Sequence, residues 1–400
     1  MNSPSEKTWR NLIVNLSLLI AALAASLLIC EFIVRTFYPQ RLYYNVSQWD
    51  PYVGFTLVPN AEGISIHQDY TMHMKINSKG LRDREFSYVK PPNTIRIGVF
   101  GDSFTFGEGV QNNEAYPKVL ESLLNGNEKI GKTGGHVEVL NFGLGKTGTS
   151  HQLAWYQKEG RKYHLDFVIL GFLAANDFTD NWSGVFYLEN DKLVHNPQAY
   201  TSLRRIQKIV QSIPFYRWLA VNSQLFNLLK QIVAVIDDKV RFETSANNVK
   251  SAISNKKELE SREYYLTLRL IKEFQKEVLE NGSQFMVVNL AAKNQKLLSD
   301  YSEQDQIKEY VKRGEALVNE LTRSDVRLLN LVPVFSNLPI SKCYFKHDGH
   351  MTKYGHQVVA RKIYDAILPD VYRLLLYKTA DKSRQGGAGI LTTENQVRSK

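Results

Sequence analysis

The chain has 400 residues, of which 43% are hydrophobic and 22% are charged, values typical of a protein with a packed core. Its formal net charge of +10 is modest for this length, and the sequence has no zinc-finger spacing and no glycine-rich nucleotide loop, which argues against nucleic-acid binding. A basic surface near anionic lipid or an acidic polysaccharide explains the charge equally well. The two cysteines indicate no disulfide framework, because Cys30 lies in an apolar run.

The N-terminal region contains a long apolar run, LIVNLSLLIAALAASLLICEFIV, which is long enough to span a bilayer as one helix. A cleaved signal peptide is the alternative, because Ala22 and Ala24 offer a small-residue cleavage pattern. The apolar run continues well past these residues, which favours an uncleaved anchor. We therefore predict a cytoplasmic segment over residues 1–11 and a transmembrane anchor over residues 12–34.

Residues 35–94 are rich in aromatic residues, short alternating runs and Gly and Pro turns, and they indicate a β-rich segment that ends in a linker. Downstream, short apolar runs alternate with helical segments. This alternation is typical of an α/β domain with a mostly parallel sheet covered by helices on both faces. The predicted strands are Ile95–Phe100, Val137–Asn141, Phe167–Gly171, Gln284–Leu290 and Val326–Asn330.

Two insertions, over residues from about 183 to 260, are predicted within this domain, which covers residues 95–378. The alternating sequence around Asn190-Asp191 predicts a hairpin. Residues 202–242 are helical in pattern and rich in Ile, Leu, Phe and Trp, and the favoured interpretation is that they pack on the domain as ordinary helices. A lid or a membrane-facing surface is the alternative. Residues 379–400 lack apolar periodicity and are predicted to be a disordered tail.

The stretch VFGDSFTFGEGV, residues 99–110, runs from a predicted buried strand directly into Gly-Asp-Ser. Ser103 is therefore placed at the carboxyl end of a strand and at the beginning of a helix. Ligands of open α/β sheets bind at that edge. For an isolated Gly-Asp-Ser the simpler interpretation is a capped helix, so a catalytic role requires partners elsewhere in the chain.

A base for Ser103 is found in KHDGHMTKYGHQVVA, near the end of the folded region. Asp348 precedes His350 by two residues, and such a carboxylate can fix the tautomer of the imidazole and stabilise the imidazolium. His347 is a second candidate base, whereas His356 is expected to be a packing residue of the following helix. These three histidines would be metal ligands only with more carboxylates around them, so we predict no metal site.

Two further segments also follow predicted strands. Asn176 comes after the third strand and can donate its amide to an oxyanion, although Asn-Asp is also a common turn pair. NFGLGKTGTSHQ, residues 141–152, is a glycine-rich turn after the second strand. Because the carboxyl ends of parallel strands meet at one crevice, the four segments together favour an active site.

These four segments resemble those of the SGNH, or GDSL-type, serine esterases and acyltransferases, over roughly Ile95 to Tyr377. The resemblance implies a three-layer α/β/α sandwich of the flavodoxin-like SGNH fold, with a mostly parallel five-stranded sheet, here preceded by one transmembrane helix. It implies that Ser103 is the nucleophile, His350 the general base and Asp348 the residue that orients it. The implied oxyanion donors are the backbone amides of Ser103 and Lys146 and the side chain of Asn176. Lys146 stands where the family has glycine, so either its amide is retained as a donor or its ammonium binds an acidic substrate.

The resemblance further implies a serine esterase or acetyltransferase that acts on ester groups of cell-envelope or exported polysaccharide and needs no cofactor. It places the chain in the bacterial cytoplasmic membrane as a single-pass protein, with the catalytic domain on the outer side. One alternative is an O-acetyltransferase that receives acyl groups from a multi-spanning membrane protein. The other is a non-catalytic carbohydrate-binding scaffold of the same fold. Small acyl esters and the membrane are the remaining predicted partners, and nucleic acid is not one.

Overall fold

The chain separates into two compact units, which are described one by one. The first is formed by Met1–Tyr44, Ile64–Gln68 and Val210–Ala252, and the second by the rest of the chain. The computed structural model describes residues 6–43, 46–181, 185–196, 215–233, 256–293 and 305–397. Much of the predicted helical insertion therefore lies outside the described residues.

The strands of the described residues form one five-stranded sheet and three smaller sheets. They are β1 (Leu42–Tyr43), β2 (Ser47–Asp50), β3 (Gly54–Leu57), β4 (Glu62–His67), β5 (Tyr70–Lys75), β6 (Thr94–Gly101), β7 (His136–Gly143), β8 (Phe167–Phe172), β9 (Phe186–Glu189), β10 (Lys192–His195), β11 (Gln284–Asn289) and β12 (Leu328–Asn330).

The described helices range from single turns to one very long helix at the C-terminus. They are α1 (Glu6–Phe37), α2 (Ser103–Phe106), α3 (Tyr116–Asn125), α4 (Glu128–Lys132), α5 (Thr149–Lys158), α6 (Asp177–Asn181), α7 (Tyr216–Asn222), α8 (residues 224–233), α9 (Lys256–Glu280), α10 (Asp305–Thr322), α11 (Val332–Ser336), α12 (Ile340–Cys343) and α13 (Lys353–Val397).

A five-stranded parallel sheet forms the centre of the second unit, in the spatial order β12-β11-β8-β6-β7. Every residue of β6 and of β8 is buried, as the runs of apolar residues predicted. The five strands coincide with the five predicted ones to within three residues at each end. The predicted α/β fold with a parallel five-stranded sheet is thus confirmed.

Helices cover both faces of this sheet. On one face, Ile95, Ile97 and Val99 of β6 share a core cluster with buried residues of α3 and α13. On the other face, the ring of Phe100 packs against Tyr156 of α5 and Phe274 of α9. Successive side chains of a strand point to opposite faces, so β6 contributes to both cores. The arrangement is the predicted three-layer sandwich.

The covering helices follow from a repeat of apolar residues at every fourth position. In α13 the side chains that repeat in this way are fully buried, and the same spacing occurs in α9. Residues four apart lie on one face of a helix, so these repeats bury one side of each helix against the sheet. The residues concerned are Val359, Ile363, Ile367, Val371 and Leu375 in α13, and Leu266, Leu270, Phe274 and Val278 in α9.

The structure agrees with one predicted insertion and differs at two other places. β9 and β10 form the predicted hairpin, and Asn190 and Asp191 at its turn have positive φ angles of 49° and 61°. The described part of the helical insertion, residues 215–233, belongs to the compact unit of α1 and not to the predicted catalytic domain. Its helix α8 begins on hydrogen bonds to a side chain of α1, which explains the difference. α13 continues to Val397 through the predicted disordered tail, whose first residues, TADKSRQ, include several good helix formers.

Candidate active site

The turn that carries Ser103 is packed directly onto the carboxyl ends of the strands. Asp102 caps α2, because its Oδ1 accepts a hydrogen bond of 2.9 Å from the amide of Phe104. α2 lies so close to β7 that a Cβ on Gly143 would be 2.2 Å from the nitrogen of Phe106. Glycine is required there by close approach. Ser103, the first residue of α2, is therefore held rigidly at the edge of the sheet.

A buried arginine holds the loop that follows α2. Arg82 is fully buried, and its guanidinium donates hydrogen bonds of 2.9, 2.7 and 2.6 Å to the carbonyl oxygens of Phe106, Gly107 and Val110. Burial lowers the pKa of Arg82 to about 10, so the side chain stays charged at neutral pH. Sequence analysis did not single out Arg82, because all but one of its acceptors are backbone carbonyls, which leave no sequence signal, and the other is the Asn112 side chain.

Three of the predicted site residues form one continuous chain of hydrogen bonds. Ser103 Oγ lies 2.8 Å from His350 Nε2, although the two residues are 247 positions apart. His350 Nδ1 lies 2.5 Å from Asp348 Oδ1. The carboxylate fixes the proton on Nδ1, so Nε2 is the acceptor for the hydroxyl proton of Ser103. The Asp348 Oδ1 also accepts from the backbone amide of His350 at 2.8 Å.

Within this chain of hydrogen bonds, the charges of Asp348 and His350 stabilise each other. Burial alone would lower the pKa of His350, but the hydrogen bond and the charge of Asp348 outweigh it, with Glu108 and Asp102 adding to the effect, and the pKa of His350 is raised. Burial alone would raise the pKa of Asp348, yet His350 and the hydroxyl of Tyr70 lower it well below its ordinary value. Asp348 therefore remains a carboxylate when His350 takes up a proton.

The loop that bears Asp348 and His350 is held from two sides by residues that sequence analysis missed. The Tyr70 hydroxyl donates a hydrogen bond of 2.9 Å to Asp348 Oδ2, and its ring lies 4.9 Å from that of Phe345. The ammonium of Lys293 donates to the carbonyl oxygens of Phe345 and Lys346 at 2.6 and 2.8 Å. Lys293 follows strand β11, so its place at the active edge was a usable signal. Tyr70 is 278 residues from Asp348, and the sequence carries no signal of their contact.

The two other histidines of this region do not take part in the chain of hydrogen bonds. His347 is exposed, and its amide donates to Asp69 Oδ2 at 2.7 Å. His356 is buried, its Nδ1 accepts from the amide of Tyr116 at 3.2 Å, and burial lowers its pKa to about 3. His356 is thus a neutral packing residue. Among the residues that the structure describes, no group of His, Cys, Asp and Glu side chains is arranged to hold a metal ion.

Asn176 lies beside the nucleophile turn, within a group of acidic side chains. Its Nδ2 donates to Asp102 Oδ2 and to Asp180 Oδ2, both at 3.1 Å. Burial, together with the charge of Asp102, raises the pKa of Asp180 to about 7. Burial also raises the pKa of Asp102. Both hydrogens of the Asn176 amide are therefore engaged by carboxyl groups, and one of them must be released before Asn176 can donate to an oxyanion.

The glycine-rich turn after β7 also borders the nucleophile. A Cβ on Gly145 would lie 3.9 Å from the Cβ of Ser103. The next residue, Lys146, is exposed and has a φ angle of 62°, in the left-handed region that glycine adopts most easily. The turn has thus kept a glycine-like backbone with lysine in place. The positive charge of Lys146 offsets a small part of the rise in the pKa of Asp180 that burial and Asp102 cause.

The C-terminal third of the chain matches a family model. Residues 250–388 match the family described as "SGNH hydrolase-like domain, acetyltransferase AlgX". The matched segment includes Asp348 and His350, while Ser103 and Asn176 lie upstream of it. The match confirms the predicted resemblance to the SGNH, or GDSL-type, hydrolases and acyltransferases. No curated protein matches the chain.

Several solved structures are similar at low sequence identity. The acetyl xylan esterase AlAXEase is 12% identical and covers 68% of this chain and 100% of its own, with a TM-score of 0.38. The lipase/acylhydrolase from Enterococcus faecalis is 16% identical and covers 69% of this chain and 96% of its own, with a TM-score of 0.35. A member of the lipolytic protein G-D-S-L family from Veillonella parvula DSM 2008 is 10% identical, covers 68% and 97%, and has a TM-score of 0.35.

Proposed function

We propose that this chain, a member of the SGNH hydrolase and acyltransferase family, transfers an acyl group from an oxygen ester through a covalent intermediate on Ser103. The observation that carries the proposal is the unbroken chain of hydrogen bonds from Ser103 Oγ through the imidazole of His350 to the carboxylate of Asp348. A serine hydroxyl is a weak nucleophile until an adjacent base removes its proton, and this geometry supplies that base.

The reaction would run in two half-reactions. Ser103 Oγ attacks the carbonyl carbon of the ester while its proton passes to His350 Nε2. The tetrahedral intermediate then collapses, the bond to the leaving alkoxide oxygen breaks, and that oxygen takes the proton from His350. In the second half, water or an acceptor hydroxyl gives its proton to His350 and attacks the acyl-serine. The second tetrahedral intermediate then collapses, the bond between the acyl carbon and Ser103 Oγ breaks, and Ser103 Oγ takes the proton back from His350.

The negative charge on the carbonyl oxygen needs donors close to Ser103. We assign this role to the backbone amides of Ser103 and Lys146 and to the side chain of Asn176. Gly145 and Asn176 lie near the nucleophile turn, which supports the assignment. Donors that are fixed before the reaction stabilise the developing charge without reorganising. For Asn176 this requires that its amide turn away from Asp180.

The substrate class follows from the family and from the N-terminal helix. The matched family is described by an acetyltransferase, so acetyl esters are the first choice. Residues Trp9–Phe37 form a helix long and apolar enough to cross a membrane. We propose that this helix tethers the domain to the outer side of the bacterial cytoplasmic membrane, where polysaccharide esters of the cell envelope are its substrates. A sugar hydroxyl as acceptor would make the enzyme an O-acetyltransferase, with a multi-spanning protein as acyl source.

Hydrolysis of p-nitrophenyl acetate by the full-length protein in nanodiscs tests this proposal. Ser103→Ala and His350→Ala should each lose nearly all activity, because the members of a triad act as a unit. His347→Ala is the matched control, since His347 is an exposed histidine of the same loop, and it should keep near wild-type activity. Equal rates in wild type and Ser103→Ala would refute the nucleophile assignment. Adding a polysaccharide acceptor and measuring acetyl transfer by mass spectrometry then separates transferase from esterase.

A further inference from the structure

The first compact unit joins the apolar helix α1 to the helices α7 and α8 through one carboxylate. Glu31 of α1 accepts hydrogen bonds from the backbone amides of Gln224 and Leu225, both at 2.9 Å, and from the hydroxyl of Ser223 at 2.8 Å. A carboxylate at the first amides of a helix is stabilised by the partial positive charge of the helix N-terminus. Arg35 of α1 adds a hydrogen bond of 2.8 Å to the carbonyl oxygen of Asn222.

A cluster of aromatic rings around Lys230 also joins these helices. The ammonium of Lys230 lies over the rings of Tyr43, Tyr216 and Phe226, at 5.3, 5.5 and 5.7 Å from their centres. These cation–π contacts connect α7, α8 and β1. Residues 215–233, which we call the collar, are therefore a packed element at a defined position along α1.

The collar exposes large apolar side chains that nothing in its own unit covers among the described residues. Phe215 is 82% exposed and Trp218 is 62% exposed. On α8, three aliphatic residues near the described end of the helix are about half exposed. They are Leu229, Ile232 and Val233. Several large exposed apolar side chains on one element mark a contact with a partner or with a membrane.

The position of Glu31 along α1 indicates that the exposed side chains of the collar contact a membrane. The predicted span, residues 12–34 of α1, rises about 34 Å at 1.5 Å per residue, slightly more than the hydrocarbon core of a bilayer, about 30 Å thick. Glu31 lies within one helical turn of the C-terminal end of this span, so it falls close to the boundary between hydrocarbon and headgroups. A collar attached to Glu31 must lie at the same depth. Tryptophan and tyrosine are enriched at this depth in membrane proteins, and the collar has Trp218 and Tyr216.

The net positive charge of the same region indicates that the lipid is anionic. Residues 31–43 and 215–233 contain four cationic side chains and one carboxylate, that of Glu31. The cationic residues are Arg35, Arg41, Arg217 and Lys230. Cations beside an apolar surface are attracted to anionic phospholipid headgroups while the apolar side chains enter the acyl boundary.

We propose that the collar lies in the interfacial region of an anionic bilayer, beside the C-terminal end of α1, and is a second membrane-binding element of this chain. The proposal rests on the membrane-spanning role of α1. It is independent of the acyl-transfer chemistry. The side chains that enter the lipid are Phe215, Trp218, Leu229, Ile232 and Val233.

Site-specific fluorescence of the full-length protein in nanodiscs tests the collar. In a Cys30→Ser background, an environment-sensitive label is attached to Leu229→Cys or Ile232→Cys, with Cys343 left in place because it is buried. Leu19→Cys in α1 is the control for the anchor. Val89→Cys is the matched control, because Val89 is 78% exposed and belongs to the second unit. Lipids with a spin label close to the headgroup serve as quenchers for the collar, and lipids with a spin label deep in the acyl chain serve as quenchers for position 19, in phosphatidylcholine alone and with phosphatidylglycerol.

We expect labels at positions 229 and 232 to lose most of their fluorescence to the lipid quencher, more strongly when phosphatidylglycerol is present, while the label at position 89 keeps its signal. If position 19 is quenched and positions 229 and 232 stay accessible to aqueous iodide, the anchor stands and the collar proposal is wrong. Labels at 229 and 232 that are shielded from both quenchers would indicate a protein partner and also refute it. Equal quenching in the two lipids would refute the selection of anionic lipid. If position 19 is not quenched, the membrane-spanning role of α1 is wrong, and the collar proposal, which rests on that role, is wrong as well.

Discussion

In the proposed reaction His350 acts as a base only in its neutral form, so its pKa would determine the pH range of activity. The carboxylate of Asp348 outweighs the effect of burial and raises the pKa of His350 above its ordinary value of 6.5. Protonation occupies Nε2 and removes the acceptor for the Ser103 hydroxyl proton. We therefore expect kcat/KM for p-nitrophenyl acetate to rise with pH, with an apparent pKa above 6.5 that belongs to the free enzyme.

The measurement is a kcat/KM profile over a pH range in which the full-length protein stays folded, with folding checked by circular dichroism at each pH. A profile that is already flat below pH 6.5 would contradict the arrangement of Asp348 and His350 seen here.

The amide of Asn176 is the most exacting test of the oxyanion site. Asn176→Ala should lower kcat by roughly a hundredfold and leave KM nearly unchanged, because an oxyanion donor acts mainly in the transition state. Steady-state kinetics on p-nitrophenyl acetate measure both values.

Asp180→Asn is the matched control for Asn176→Ala. It keeps an acceptor oxygen near the Asn176 amide but removes the charge that competes with the oxyanion for it. Its kcat should be equal to or above that of wild type. An unchanged kcat in Asn176→Ala would mean that Asn176 is bound to its carboxylate partners for structural reasons and that the oxyanion donors lie elsewhere.

At the scale of elements, the sequence predicts the segments well and their contacts less well. The runs of β-branched and aromatic residues predict β6, β7, β8, β11 and β12, because buried parallel strands need apolar side chains on both faces. The ends of these strands also predict where Ser103, Asn176 and Lys146 lie. The support of Asp348 by Tyr70 could not be predicted, since β5 lies in a different sheet and short-range patterns carry no information on such a contact.

Lys293 links strand β11 to the loop of Asp348 and His350, and we expect it to be a positioning residue. Lys293→Met keeps much of the side-chain volume but removes the hydrogen bonds to the carbonyl oxygens of Phe345 and Lys346. A displacement of the imidazole by about 1 Å lowers the rate by up to a hundredfold. We therefore expect kcat for p-nitrophenyl acetate to fall by about tenfold or more, with KM little changed.

Lys342→Met is the control, because Lys342 is an exposed lysine of the preceding helix, and its kinetics should match wild type. A loss of folded protein in Lys293→Met, seen by circular dichroism, would indicate a general structural role. Wild-type kcat in a folded Lys293→Met protein would show that the loop holds its position without the ammonium.

At the scale of the whole molecule, the division into units differs from the division expected along the chain. Residues 45–63 and 69–94 fold with the parallel sheet, whereas residues 215–233 fold with α1. The sequence of the insertion predicts amphipathic helices, whose apolar faces can pack either on the parallel sheet or against α1. Amphipathic periodicity does not show which of these two surfaces the helices cover. The carboxylate of Glu31 decides between the two surfaces, because it satisfies the first amides of α8. A single Glu in an apolar run is therefore informative, although the sequence alone does not show which amides it binds.

The orientation of α1 in the membrane connects this architecture to the proposed substrates. Esters of cell-envelope polysaccharide are reached only from the outer side, so the C-terminal end of the chain must lie there. Alkaline phosphatase folds to an active enzyme only where its disulfides form, outside the cytoplasm. A fusion after Lys400 should therefore be active, while a β-galactosidase fusion at the same residue should not be. N-terminal sequencing of the membrane-bound protein should find the residues before Leu12 still present, because the apolar run is too long for a cleaved signal. An inactive phosphatase with an active β-galactosidase would place Ser103 in the cytoplasm and refute the proposed envelope substrates, even if the triad hydrolyses esters.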